Sequence, residues 1–143
     1  MSAADLVAKL RARAARERLE KALEFQLRAL ELTDGMLREY QFDRSGRRWR
    51  LDFAWPAVLL GVEVEGVTGG AGGRHQRKRG FENDCEKYNA AALDGWCVLR
   101  FPGKAVEDGS ALETIERALE LRTWYGDGGA DRDPPLLFGR AWR

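Results

Sequence analysis

Residues 47–66 read RRWRLDFAWPAVLLGVEVEG. The first half alternates, placing Trp49, Leu51, Phe53 and Trp55 on one face of a strand and Arg48, Arg50 and Asp52 on the other. Pro56 ends it. A second run follows, with Leu60, Val62 and Val64 on one face and Leu59, Gly61, Glu63 and Glu65 on the other. A hairpin joined near Ala57 puts Asp52 opposite Glu63, with cross-strand neighbours about 5 Å apart. Three carboxylates so close repel one another, and burying them is costly unless a cation stands between them. Carboxylate oxygens are the preferred ligands of a hard divalent cation. The simpler alternative is a polar sheet face turned to water, with Arg48 and Arg50 neutralising Asp52.

Working outward, REYQFD (38–43) alternates like a further strand and RSG (44–46) is a turn signal. Three successive strands with short turns predict an antiparallel meander. Upstream, residues 3 to about 32 read as helix on a leucine stripe, with Ser2 and Asp5 as a capping pair. The arginine-rich RARAARER within it marks exposure or a break, so residues 1–18 form a helical extension. Downstream, VTGGAGGRHQRKRG (67–80) reads as a mobile glycine-rich loop. Residues 81–94 then read as helix, with Phe81, Cys85, Tyr88, Ala92 and Leu93 inward and Gly95 as the stop. WCVLRF (96–101) is a short buried strand, and a last helix is expected to be capped by Ser110 with Glu113. Residues 1–125 are one domain, and 126–143 a flexible tail. The predicted fold is α/β in the order αβββαβ, a mixed four-stranded sheet flanked by helices, with the last two strands parallel.

The chain has 143 residues, 33% of them charged, and a formal net charge of +1, so any attraction to nucleic acid must be local. Two cysteines and one histidine do not make a structural zinc site without carboxylates. Cys85 and Cys97 are expected to be small buried groups. The few cysteines, the charged N-terminus and the lack of a long apolar run predict a cytoplasmic protein with no membrane partner. The basic residues gather in two places. One is Arg74, His75, Arg77, Lys78 and Arg79; the other is Arg44, Arg47, Arg48 and Arg50. Both would form a rim for phosphates, or, more plainly, a solubilising surface. The tryptophans in the strand patterns, Trp49, Trp55 and Trp96, are expected in the core rather than stacked on bases.

The residues Asp52-Phe53-Ala54-Trp55-Pro56, then after ten positions from Asp52 Glu63-Val64-Glu65-Gly66, resemble the PD-(D/E)XK nuclease superfamily, the restriction-endonuclease-like fold. With GRH, FENDCEKYN and GWCVLRF added, the chain is similar over about 19–120 to a phage and bacterial branch near the very-short-patch-repair endonucleases. The resemblance implies a Mg²⁺-dependent DNA endonuclease, with Mn²⁺ as a substitute, in a bacterial or phage-infected cell. It implies that Asp52, Glu63 and the carbonyl of Val64 hold the metal. An acid of the first helix completes such sites; Glu20 is the first choice and Glu24 the alternative.

The sequence departs from the motif at Glu65, which stands where the lysine is usual. An acid there could be a third ligand or a general base. Alternatively, Lys87, on one helix face with Asp84, returns a positive charge to the site. His75 is expected first as a phosphate contact, although in the repair relatives a histidine of this loop assists hydrolysis. A nuclease of this size that cuts both strands is expected to act as a homodimer; a nickase need not. The other readings are an inactive nucleic-acid-binding module on the same fold and a small oligomeric interaction protein.

Overall fold

The computed structural model describes residues 1–66 and 74–127, the side chains of 74–77 excepted. The leucine stripe and the capping box between Ser2 and Asp5 produce one uninterrupted helix, α1 (Ala3–Ala29). Its arginine-rich half does not break. Only Leu19, Glu20, Leu23 and Leu27 are buried, so the helix runs about 25 Å beyond its anchored part. Strands β1 (Leu37–Gln41), β2 (Arg50–Trp55) and β3 (Leu60–Glu65) follow, with one turn of 3₁₀ helix at Pro56–Val58 between the last two. The crossover helix α2 (Arg74–Leu93) leads to β4 (Cys97–Pro102), and α3 (Gly103–Glu107) and α4 (Ser110–Gly126) close the domain. Among the described residues no helix is long and apolar enough to cross a membrane.

The sheet order is β1-β2-β3-β4, antiparallel except for the parallel pair β3–β4. The hairpin register pairs Phe53 with Val62, Ala54 with Gly61 and Trp55 with Leu60. The backbone pairing stops there, one pair short of the Asp52–Glu63 pair expected of a hairpin joined near Ala57. One face of the sheet packs Phe53, Trp55, Leu60, Val62 and Val64 on Leu19, Leu23 and Leu27 of α1 and on Ala111 and Ile115 of α4. The other face packs Leu51 and Ala54 with Phe42, Trp96 and Ala91 of α2. The domain is thus a four-stranded mixed sheet with helices on both faces.

Several expectations are corrected. Leu51 does not share a face with Phe53 and Trp55, because the alternation is interrupted at the Glu39–Asp52 level. Glu39 has a left-handed backbone (φ 48°), and the paired residues on either side of it, Arg38↔Phe53 and Tyr40↔Leu51, belong to opposite faces. Residues 74–80, predicted as loop, are the first turns of α2. That helix is rotated from its predicted phase. Lys87 and Ala91 turn inward with Tyr88, which is inward as predicted, while Phe81, Cys85, Ala92 and Leu93 are exposed. The reason is chemical: the helix faces a carboxylate as well as apolar residues. Ser110 does not cap α4. The N-cap is Gly109 (φ 83°), and Asp108 accepts from the Ser110 N–H at 3.0 Å. Residues 67–73 and most of the tail, 128–143, lie outside the described residues.

Two glycines set close approaches. A Cβ on Gly61 would meet Leu51 Cδ1 at 2.6 Å, and one on Gly103 would meet Leu19 Cδ1 at 2.9 Å. The second lets α1 lie tightly against the start of α3.

Candidate functional site

The N-terminal end of β2 and the C-terminal end of β3 lie side by side, and there the sheet carries its buried acids. Asp52 and Glu63 are 3% and 5% exposed. Beyond the last backbone pair of the hairpin, the Asp52 side chain takes over from the ladder: the Val64 N–H donates to Asp52 Oδ2 at 2.7 Å. The carboxylate is therefore fixed by main chain, and its other oxygen accepts from Arg16. Helix α1 crosses this end and supplies Glu20, 8% exposed. Glu20 and Glu24 both reach Arg38, but only Glu20 also approaches the strand acids. Among the described residues, one group of acids has oxygens within 4.8 Å of one another, and it comprises Glu20, Glu39 and Asp52. Glu63, expected as a metal ligand with Asp52, lies outside that group.

Three cations hold these acids. Arg16 places Nη2 2.6 Å from Asp52 Oδ1 and 3.8 Å from Glu63 Oε2, and Nε 3.1 Å from Glu20 Oε1. Arg38 Nη2 lies 2.7 Å from Glu20 Oε2, with its guanidinium 4.3 Å from the centre of the Phe53 ring. Lys87 of α2 donates to Glu63 Oε1 in a close, largely buried pair. Burial drives the Glu63 carboxyl up to about 7, against the downward pull of Lys87 and Arg16. Burial likewise raises Glu20, reinforced by the charge of Asp52 and opposed by Arg16 and Arg38. A cleft of about 320 Å³ lined by Arg13, Arg16, Glu17, Glu20 and Glu39 opens onto the group. A larger recess of about 470 Å³ lies by Tyr40, Phe42 and Trp96 and reaches none of these acids.

The predicted residues divide clearly. Asp52, Glu63, Glu20 and Lys87 converge. Glu65 follows on the same strand but is half-buried and accepts from Arg100 Nε at 2.6 Å. Arg100 also stacks on Tyr88, 4.2 Å from its ring centre, and reaches Asp84 at 3.7 Å. Arg48 and Arg50 are exposed on the strand approach, and Arg47 pairs with Glu86 at 2.8 Å. Lys78 and Arg79 are exposed on α2. The side chains of Arg74, His75 and Arg77 lie outside the described residues. Trp55 and Trp96 are core residues as expected, and Trp49 packs at the edge of the second cluster.

Sequence reading did not single out Arg16, Arg38 or Glu39. The spacing of Arg16 and Glu20, four apart on one helix face, was the available signal for the first. The chain was compared with protein-family models, curated proteins and solved structures, and none matches.

Proposed function

We propose that the chain is a divalent-cation-dependent DNA endonuclease of the PD-(D/E)XK type. The observation that carries the proposal is the convergence of Glu20, Asp52 and Glu63, from three separate elements, around a single cationic group, with a lysine bonded to Glu63. The order α1, β1–β3, α2, β4 is that of the superfamily core. The donor set fits a hard cation: carboxylate oxygens converge at a place that already accommodates positive charge. Glu20 and Asp52, whose oxygens lie close to each other and to those of Glu39, would hold Mg²⁺ or Mn²⁺; Glu63 and the Val64 carbonyl, the ligands that the resemblance implies, would complete the set if Glu63 turned from Lys87. Such an ion lowers the pKa of a bound water and stabilises charge on phosphate oxygens.

The protein's own groups would do the rest. Glu65 is committed to Arg100, so Lys87 takes the place of the missing motif lysine. Its ammonium, anchored on Glu63, is placed to orient the attacking water or to donate to a phosphate oxygen. The Val64 N–H holds Asp52 in position without help from substrate. Exposed Arg48, Arg50, Lys78 and Arg79 would meet backbone phosphates.

The test is a cleavage assay on supercoiled, mismatched, branched and single-stranded DNA with Mg²⁺, Mn²⁺ or EDTA. Nicking or cutting is expected only with metal. Asp52→Asn and Glu63→Gln should each reduce it by at least about 10²-fold while the protein stays folded. Undiminished cutting by both variants removes the site assignment. One observation favours a second reading, a nucleic-acid-binding module that does not cut: Arg16, Arg38 and Lys87 neutralise the acids without any metal. Salt-sensitive DNA binding with no cleavage in any divalent metal would select it.

A further inference from the structure

The guanidinium of Arg16 reaches all three converging carboxylates, Glu20, Asp52 and Glu63. A cation that bridges acids from a helix and two strands is doing electrostatically what a divalent ion would do there. Yet Arg16 is not built in as a permanent structural cation is. Its side chain is 44% exposed and borders the 320 Å³ cleft. It also sits N-terminal to Leu19, in the part of α1 that has no buried residue. The guanidinium therefore has open space beside it. Lys87 differs: only 13% exposed, it has a single acidic partner among the described residues.

We propose that Arg16 is an exchangeable counter-ion, which holds the carboxylates together in the metal-free protein and is displaced into the cleft when a divalent cation binds. The inference rests on the cation-dependent reading above. Two consequences follow from competition for the same oxygens. Arg16 weakens the apparent metal affinity, because only the fraction of molecules with the guanidinium withdrawn is ready to bind. It also stabilises the metal-free fold, because without it three acids face one another with less compensation.

The test is calorimetric titration of Mn²⁺ into metal-stripped protein, with thermal melts in EDTA alongside. Arg16→Gln is expected to bind Mn²⁺ about tenfold more tightly than the wild type, the worth of one charge-assisted hydrogen bond. It should melt lower in EDTA and recover more of that loss when Mn²⁺ is added. Arg16→Lys keeps the charge and should stay within about threefold of the wild type. Arg28→Gln, which removes a cation paired with Glu24 away from the strand acids, should change nothing in the titration. Equal or weaker Mn²⁺ binding by Arg16→Gln overturns the proposal but leaves the metal site standing. Mn²⁺ binding by neither protein overturns both. If Arg16→Gln folds only with Mn²⁺ present, the counter-ion role is supported; if it folds under neither condition, Arg16 is structural and the proposal falls.

Discussion

Replacing Lys87 with methionine separates charge from packing at this site. Lys87 is 13% exposed and Glu63 7% in their side chains, so the pair is largely out of water. Truncating one member of such a pair leaves the other charge buried alone, at a cost of about 3 kcal/mol. Glu63 can escape that cost by taking up a proton. Its folded-state value is already about 7, against 4.5 for the unfolded chain. A carboxyl raised in this way contributes its full stability below about 4.5 and loses it as the pH climbs through 7. Removing Lys87 raises the folded value further, since that lysine is the main group holding it down. At pH 5.5 both proteins therefore keep Glu63 protonated, and the variant should lose no more than about 1 kcal/mol. At pH 8.5 the loss should be about 3 kcal/mol, or on the order of 10 °C in melting temperature for a chain of this size. Thermal melts of metal-free protein at the two pH values measure the difference. Adding Glu63→Gln to the variant should recover most of the loss at pH 8.5, since no unpaired charge remains. An equal loss at both pH values would refute the argument, because packing alone would then explain it.

Other outcomes follow from single contacts. Gly61→Ala drives a methyl into Leu51 and should cost about 1–3 kcal/mol by chemical denaturation, with partial relief when Leu51→Ala is added. Asp108→Ala removes the acceptor for the Ser110 N–H and should lower the melting temperature, whereas Ser110→Ala, which leaves that bond in place, should lower it less. Glu65→Gln breaks a partly exposed pair with Arg100 and should alter stability by less than about 1 kcal/mol. Under the proposed chemistry it should also keep DNA cleavage within about tenfold of the wild type, while Lys87→Met loses it.

The hairpin was legible because two local patterns agree. Leu60, Val62 and Val64 require one face of β3, and the short connection at Pro56 fixes the register. The resemblance names Glu20 ahead of Glu24, and the fold brings Glu20 within reach of Asp52. Lys87 was legible only as a replacement charge, on a helix whose phase was misread. Periodicity assumes that the inward face of a helix is apolar. In α2 the inward face includes Lys87, and Phe81 and Cys85 are exposed against the apolar pattern. The face switch in β1 and β2 depends on the left-handed backbone of Glu39, which no residue type at that position announces. Arg16 and Arg38 join the site through tertiary approach, Arg38 by standing beside Phe53 on the sheet, and pattern along the chain does not encode that.

The site resembles a vice with one fixed and one adjustable jaw. Asp52 and Glu63 belong to the fixed jaw, set by adjacent strands and by the Val64 N–H. Glu20 rides on the other jaw, a helix positioned by Leu19, Leu23 and Leu27 and by the space that Gly103 leaves for Leu19. Methyl groups around Leu19 therefore act as the adjusting screw. A sequence can open or close the gap between its acids by changing apolar volume there, leaving every charged residue as it is. Variation in such a site would then be found first among the small hydrophobic residues behind it.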